Sequence, residues 1–180
     1  MELEVVKRRQ SVREGYVVLL RAEAEILLPE SRFPMMRTFY EKIGDACLNW
    51  VIDVYGERLR EYFLSLSDIR EKSRFRTQTY RFWMRVPWET SPHLTLLCES
   101  ERSDLDGSKD FYRIAHTWNT EEETVLPLAQ VMRLFQIRVS KHDFPFEADG
   151  GYREGEHFLI FKNKTASNAF LEMKFPIKGG

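Results

Sequence analysis

The feature that most constrains this chain is a change in the spacing of its apolar residues at Pro34. From Met36 to about Val54, apolar side chains recur every three or four residues, which is the spacing of one helix face. Before Pro34, apolar and polar residues alternate, as they do in a β-strand with one buried face. The chain is therefore predicted to begin with strands and to continue into one long amphipathic helix of about 30 residues.

Three positions refine the predicted helix. Ser31 is predicted as its N-cap, and Pro34 suits the first turn, where the N–H that proline lacks is not needed. Gly44 and Gly56 lie inside the pattern, and each weakens a helix by up to ~1 kcal/mol relative to Ala. Because such a cost needs a structural reason, we expect close packing against a sheet, or a bend, at both glycines.

The opening strands are predicted to form a hairpin. The runs "LEVVKRRQ" and "GYVVLLRAEAEILLP" flank "SVREG", in which Gly15 can take the positive φ that a tight connection requires. In the second run the alternation predicts one wet face with Arg21, Glu23 and Glu25. The opposite, dry face carries Val18, Leu20, Ala22, Ala24, Ile26 and Leu28.

Alternation returns after the helix. The runs "FRTQTYRFWMRVPW", "HLTLLCES" and "FYRIAHTWN" each predict a strand, Pro127 permits a short helix, and "HFLIFKN" with "AFLEMKFPI" predicts a closing hairpin. "SDLDGSKD" and "ADGGYREGEH" are predicted as surface loops. The predicted fold class is α+β: a curved antiparallel sheet of about seven strands, with the long helix packed on one face and a second, short helix. Residues 1–180 are expected to form a single domain.

Composition excludes several classes of function. The chain has 27 Lys and Arg against 28 Asp and Glu, so no overall field attracts nucleic acid. The basic run "VKRRQSVR" is interpreted as a solvated hairpin end. No stretch of about 18 apolar residues predicts a membrane-spanning helix. The opening "MELEVVKRRQ" lacks a secretory signal pattern. The expected location is cytoplasmic as written, or extracellular or envelope-attached if a leader or anchor was removed.

The residues with catalytic chemistry favour structural roles. A small metal-dependent hydrolase using His116 with Glu121 to Glu123, and His157 as a further ligand, is the alternative enzyme hypothesis, but no local spacing makes these ligands converge. His116 is interpreted instead as a half-buried strand residue beside Trp118. Cys47 and Cys98 are interpreted as inert packing residues. Glu99 and Glu101 share one strand face and are interpreted as exposed decoration. We expect no catalytic residue, no metal and no cofactor, and hence no enzyme.

Binding is the favoured class of function. Trp83, Arg81 and Arg85 fall on the face of their strand assigned to solvent, and Trp and Arg are enriched where proteins grip partners. His116 and Trp118 complete the predicted binding set. The expected partner is another protein, or a second copy of this chain through the Trp83 face, which would make a homo-oligomeric accessory protein. The alternative is that Trp83 is covered by the N-terminal hairpin or the second helix.

Three segments carry a family resemblance. "FPMMRTFYEKIGDACLNWV" resembles the Met-x-x-Phe-Tyr helix opening of a domain of unknown function common in Gram-positive bacteria. This family includes the extracellular domain of the lysozyme-sensing anti-sigma-V factor, and it is also attached to some peptidoglycan deacetylases. "HTWNTEEETVLPLAQVMRLF" is similar to the strand, turn and short helix of that family, and "YREGEHFLIFKNKTASNAFLEMKFPI" resembles its closing segment. Together these segments span most of Glu25 to Ile177.

The resemblance implies an α+β domain that senses or binds, with enzymatic activity in other domains. Two departures limit what carries over. Arg37 stands where many relatives have Asn, and "SDLDGSKD" stands where they have a glycine-rich segment. Ligand contacts that relatives make at that segment are therefore not expected here, and the binding of lysozyme itself is not transferred to this chain.

Overall fold

A computed structural model describes residues 1–138, 148–163 and 171–177. The fold is α+β, as predicted, with strands before and after a long helix. The strands are β1 (Leu3–Glu14), β2 (Val17–Pro29), β3 (Gln78–Thr90), β4 (His93–Ser103), β5 (Lys109–Asn119), β6 (Thr124–Val125), β7 (Gly150–Glu154), β8 (His157–Lys162) and β9 (Leu171–Pro176). The helices are α1 (Pro34–Trp50), α2 (Gly56–Ser65), α3 (Ile69–Ser73) and α4 (Leu128–Leu134), with a π-helical turn at Val51–Tyr55.

The long helix is confirmed. α1, the π-helical turn and α2 follow one another without a break from Pro34 to Ser65. Pro34 occupies the first turn as predicted, but the prediction of Ser31 as the N-cap is wrong. Phe33 holds that position, because a turn closed by Phe33 N donating to Glu30 O (3.0 Å) separates Ser31 from the helix start.

Both helix glycines lie where the helix meets the sheet. A Cβ at Gly56 would come 2.7 Å from Val12 Cγ2, and a Cβ at Gly44 would overlap Ile26 Cδ1. Such distances leave no room for a side chain, so the helix axis approaches strands β1 and β2 through these two positions. The close packing predicted at Gly44 and Gly56 is confirmed.

The first sheet has six strands in the order β1-β2-β3-β4-β5-β6. β1 and β2 form the predicted antiparallel hairpin, with Gly15 at φ +55° in its turn. β2 and β3 are parallel, from Leu20 opposite Gln78 to Glu25 opposite Trp83, so the sheet is mixed rather than wholly antiparallel. The long helix accounts for this difference, because it is the crossover that brings β3 back in the direction of β2.

A second sheet, in the order β7-β8-β9, follows in the chain. β7 includes part of the segment "ADGGYREGEH", so the prediction that this segment is a surface loop is wrong for Gly150–Glu154. Gly150 and Gly151 are buried, and a Cβ at Gly150 would come 2.7 Å from Phe161 Cζ. Glycine here permits close approach of aromatic side chains rather than mobility. The predicted turn of the closing hairpin, "KTASN", and the first two residues of the strand predicted after it lie at 164–170, outside the described residues.

The chain packs as two compact units. The first unit comprises Met1–Trp83 and Ser100–Asp110, and the second comprises Met84–Glu99 and Phe111–Gly180. The expectation of a single domain stays a prediction. No described helix is both long enough and apolar enough to cross a membrane.

The core of the first unit forms where the helix covers the hairpin. Strand β2 alternates as predicted, and its dry face is buried from Leu20 to Leu28. The helix contributes the fully buried residues Met36, Tyr40, Leu48, Val51 and Leu59. The opposite face of β1, β2 and β3 carries charged residues.

The second unit has two apolar clusters, one on each face of β8. Leu159 and Phe161 pack with Leu97, Tyr152 and Ala115. Phe158 and Ile160 pack with a cluster that includes Val131 and Phe135 of α4. Because both faces of β8 are covered, its sequence is a continuous apolar run rather than an alternating one.

Candidate functional site

Charged and aromatic side chains cross three strands of the first unit, on the face opposite the long helix. The pairing of β1 with β2 and of β2 with β3 aligns these side chains in two rows. From β1 to β3 the rows are Lys7–Glu25–Trp83 and Arg9–Glu23–Arg81. We call this surface, together with Arg21 of β2, the outer face.

The outer face carries more positive than negative charge. Lys7 Nζ lies 2.9 Å from Glu25 Oε2, and Arg9 Nε lies 3.2 Å from Glu23 Oε1. These contacts use both carboxylates of the face. The guanidinium groups of Arg21 and Arg81 are exposed and form no ion pair or hydrogen bond with a described residue. Four cations against two carboxylates leave the face with a net charge of +2.

Trp83 gives the outer face an apolar element. Its side chain is half-buried and lines a groove of about 460 Å³ together with Arg81, Phe82 and residues of β1 and β2. A volume of a few hundred Å³ is in the range of pockets that take a ligand or a side chain of a partner. The indole of Trp83 and the guanidinium group of Arg81 therefore offer apolar contact and ionic recognition in one groove.

A second cavity, of about 560 Å³, lies in the first unit near the end of α2. Tyr62, Phe75 and Leu105 form its apolar wall. Its polar floor is satisfied internally, since Ser103 Oγ accepts from Thr79 N (2.8 Å) and donates to Gln78 Oε1 (2.9 Å). Its charged lining is of mixed sign, with Arg74 and Arg76 against Glu71, Asp104 and Asp106, so it selects no class of ligand by charge.

The second unit contains a buried ionic network around Glu99. Glu99 has 5% of its side chain exposed, and its two oxygens accept from Arg85 Nε (3.0 Å) and Arg113 Nε (2.9 Å). Each arginine also reaches a second carboxylate: Arg85 bonds Glu154 at 2.5 Å and Arg113 bonds Glu172 at 2.6 Å. The interpretation of Glu99 as exposed decoration is therefore wrong, because arginines of the neighbouring strands β3 and β5 bind it in the interior. Carboxylates of β7 and β9 hold those arginines in turn.

Aromatic rings and one amide complete this network. The Arg113 guanidinium carbon lies 5.4 Å from the centre of the Tyr152 ring, and Arg85 lies 5.6 Å from the same ring. Burial raises the pKa of the Tyr152 hydroxyl to about 12. Asn163 accepts from Arg113 N (2.7 Å) and donates to Arg113 O (2.8 Å), which holds the backbone of β5 in place. Since every charge has a partner, the network resembles a structural support rather than a reaction centre.

His116 and the glutamates that follow it in sequence differ in exposure. Its imidazole is largely buried, and that burial lowers its pKa to about 4. Glu121 and Glu122 are exposed in the turn, where their backbone N–H groups donate to Asn119 Oδ1. Across residues 1–138, 148–163 and 171–177, no three His, Cys, Asp or Glu side chains converge on a possible metal position.

Both thiols are packed inside their units. Cys98 is 2% exposed, and Cys47 is half-buried. Burial raises the pKa of the Cys47 thiol, although its hydrogen bond with Tyr80 acts in the opposite direction. Neither thiol has the exposed, cationic surroundings that make a cysteine nucleophilic.

The structure brings together two of the five predicted binding residues. Arg81 and Trp83 share the outer face, whereas Arg85 belongs to the network around Glu99. His116 is largely buried and Trp118 is 4% exposed, both in the second unit. Their binding role stays a prediction.

Sequence reasoning missed three members of the outer face: Lys7, Arg9 and Arg21. The signal for Arg21 was present, because it lies on the predicted wet face of β2. Lys7 and Arg9 were assigned to a hairpin end, but they lie in the middle of the 12-residue strand β1. The parallel pairing that sets Arg81 beside Glu23 joins residues far apart in the chain, and no local pattern encodes it.

Comparison with known proteins relates this chain to others through its fold. No protein-family model and no curated protein matches it. A DUF3298 family member from Bacteroides fragilis NCTC 9343 matches with a TM-score of 0.61 and 8% identity, over 97% of this chain and 90% of that one. A DUF3298 family protein from Pseudomonas aeruginosa PAO1 matches with a TM-score of 0.53 and 11% identity, over 97% and 89%. The fold is thus shared with a domain family of unknown function.

Proposed function

We propose that this chain is a non-catalytic binding or regulatory module whose outer face receives an acidic segment of a partner protein. The observation that carries the proposal is the position of Arg21 and Arg81. Both guanidinium groups lie on the same face as Trp83, and the two carboxylates of that face are already paired with Lys7 and Arg9.

The chemistry of the outer face supports a protein partner. Trp and Arg are the residues that most often dominate binding energy at protein interfaces. A carboxylate of the partner would form charge-assisted, bidentate hydrogen bonds with a guanidinium group that has no internal competitor. The net charge of +2 would also speed encounter with an acidic partner and slow encounter with a basic one.

The regulatory part of the proposal rests on the resemblance to the sensing domain of the lysozyme-responsive anti-sigma-V factor. In such a module, binding of a partner is the signal and chemistry takes place elsewhere. The fold shared with DUF3298 family proteins is compatible with this role. The identity of the partner follows from the outer face of this chain and not from the resemblance.

Two alternatives have less support. The hydrolase hypothesis needs His116 and the glutamates after it to share a metal, and the described residues hold no such group. Self-association through the Trp83 face would bring together two surfaces that each carry a net charge of +2, which opposes pairing at low salt.

A peptide-binding experiment tests the proposed function. Capped synthetic peptides of equal length, each with one tryptophan, are compared while their net charge is varied from acidic to basic. We expect the purified chain to bind the acidic peptides and to lose that binding as salt is raised. Trp83→Ala should weaken binding by about 30-fold. Arg81→Glu should weaken it by about tenfold or more.

Arg58→Glu is the matched control, because Arg58 is also exposed and forms no hydrogen bond or ion pair with a described residue. The substitution makes the same change in net charge. If the peptides bind specifically at the outer face, this variant should bind them like the parent. Equal binding of acidic and basic peptides would overturn the proposal. So would a loss in Arg58→Glu as large as the loss in Arg81→Glu.

A further inference from the structure

The exposed edge of β1 offers a second kind of contact beside the outer face. β1 is the terminal strand of the six-stranded sheet and pairs with β2 along its length, from Leu3 opposite Pro29 to Glu14 opposite Val17. No described residue outside this hairpin forms a backbone hydrogen bond with β1 from Leu3 to Glu14. Its outward N–H and C=O groups are therefore open to another strand.

Strand β1 is long for an edge strand. With 12 residues it exceeds the usual strand of about five or six. Its pairing is regular until a register shift between Val12 and Arg13, so the portion from Leu3 to Val12 is continuous. An edge of this length without an interruption is a template for strand addition unless its side chains prevent it.

The side chains of β1 disfavour a second copy of the same strand. Lys7, Arg8 and Arg9 are consecutive at the middle of the strand. In an antiparallel pair centred on Arg8, Lys7 would face Arg9 of the other copy, and Arg8 would face Arg8. Like charges placed directly opposite each other are destabilising. This arrangement protects the edge from self-pairing.

The same residues favour an acidic strand. Lys7 and Arg9 project onto the outer face, where their neighbours on β2 are Glu25 and Glu23. A carboxylate on a strand added at the other side would stand next to each cation in the same way. Arg8 projects to the helix side and is paired with Asp45 there, so acidic residues are needed only at alternate positions of the added strand.

We propose that the edge of β1 accepts an extended segment of the partner protein, with acidic side chains at every second position, as an additional strand of the sheet. This inference rests on the proposed function and specifies how the partner is held. Main-chain hydrogen bonds would provide affinity, and Lys7 and Arg9 would select the acidic register.

Amide hydrogen exchange with a defined probe tests the inference. The probe is a capped octapeptide in which Glu and Thr alternate; one control peptide has Lys in place of Glu, and another has N-methylated backbone amides. We expect the Glu–Thr peptide to slow exchange at alternate amides between Leu3 and Val12, because in a strand only every second N–H points to the free edge. The N-methylated peptide and the Lys peptide should slow none of them.

Charge reversal supplies the matched variants. Lys7→Glu/Arg9→Glu should lower the affinity for the Glu–Thr peptide by about tenfold or more, since two favourable cross-strand pairs become repulsive. Lys42→Glu/Arg58→Glu makes the same change in net charge at two exposed helix residues and should leave binding unchanged. Unaltered binding in the β1 variant would overturn the inference.

The exchange pattern separates this inference from the proposed function. If the peptide binds through Trp83 and Arg81 but no alternate protection develops in β1, strand addition is wrong and the outer face remains a binding surface. If alternate protection in β1 persists in Trp83→Ala/Arg81→Glu with unchanged affinity, strand addition stands and the proposed roles of Trp83 and Arg81 are wrong. Absence of binding by the parent chain overturns the inference outright.

Discussion

Glu99 Oε1 and Arg113 Nη2 lie 2.8 Å apart in the second unit, with only 5% and 11% of the two side chains exposed. A buried ion pair of this kind contributes little net stability when intact, but the loss of one member leaves the other charge without a partner. We therefore expect Glu99→Ala to lower the free energy of unfolding by about 3–5 kcal/mol. Urea denaturation measures the change.

Two further variants identify the cause of that loss. Glu99→Leu/Arg113→Met removes both charges, so it should destabilise less than either single change. Glu101→Ala is the control on the same strand, because Glu101 is less buried and pairs with Lys109 at the surface (2.8 Å). Glu101→Ala should lower the free energy of unfolding by less than about 1 kcal/mol. A double variant as unstable as the sum of its parts would contradict the argument.

Alanine at the helix glycines should destabilise the first unit in spite of its better helix propensity. Gly44→Ala gains up to about 1 kcal/mol in propensity, but its Cβ would overlap Ile26. Overpacking of this kind costs about 1–3 kcal/mol. Thermal unfolding of Gly44→Ala should therefore show a lower midpoint than the parent.

A rescue variant checks that the loss comes from overlap. Gly44→Ala/Ile26→Ala removes the atoms of Ile26 that a Cβ at position 44 would meet, so its destabilisation should be less than additive. Asn49 lies on the exposed side of the same helix, so Asn49→Ala is the control and should be neutral or slightly stabilising. A stabilised Gly44→Ala would mean that the helix does not approach the sheet this closely.

Burial of His116 should make stability depend on pH. The pKa of His116 is lowered to about 4, so between about pH 6.5 and 4 the unfolded chain binds a proton that the folded chain does not. The contribution of His116 to the free energy of unfolding is therefore fully present above about pH 6.5 and is lost as the pH falls to about 4. The loss amounts to up to about 3 kcal/mol. His116→Gln should reduce the difference in unfolding free energy between these two pH values.

Other groups also titrate in this range, so the comparison between variants carries the test. The control is His157→Gln, which makes the same substitution at a histidine that is exposed in the folded chain. An equal change in both variants would show that burial of His116 is not the cause.

Neither cysteine should react quickly in the folded chain. Cys98 is 2% exposed, and burial raises the pKa of Cys47, so the thiolate is scarce or inaccessible at both positions. Labelling with a thiol reagent at neutral pH should proceed at the rate of unfolding for Cys98 and slowly for Cys47. Immediate labelling of Cys47→Ala, which retains only Cys98, would contradict the described packing.

We expect the chain to be a monomer that does not self-associate through the outer face, which includes Trp83. Its net positive charge opposes contact with the same face of a second copy. Light scattering should give the same mass for the parent and for Trp83→Ala. A parent dimer that becomes a monomer in Trp83→Ala would support self-association instead of an acidic partner.

Short-range patterns were sufficient for the hairpin and the long helix. The alternation from Val18 to Leu28 and the three-to-four spacing after Met36 reflect which side of each element meets the core, and an element keeps that geometry wherever it packs. Pro34, Gly44 and Gly56 were also read correctly, because their constraints arise from their own backbones and their nearest neighbours.

The sequence by itself determined the opening hairpin, the long helix, the dry face of β2 and the α+β class. Tertiary structure alone decided that β3 runs parallel to β2, that Gly150–Glu154 is a strand, and that Glu99 is buried between two arginines. Each of these depends on a partner distant in the chain. A carboxylate on an alternating strand has the same local pattern in water or beneath a second sheet, so only the packing of strands against one another places Glu99 in the interior and Arg81 beside Trp83 on the surface.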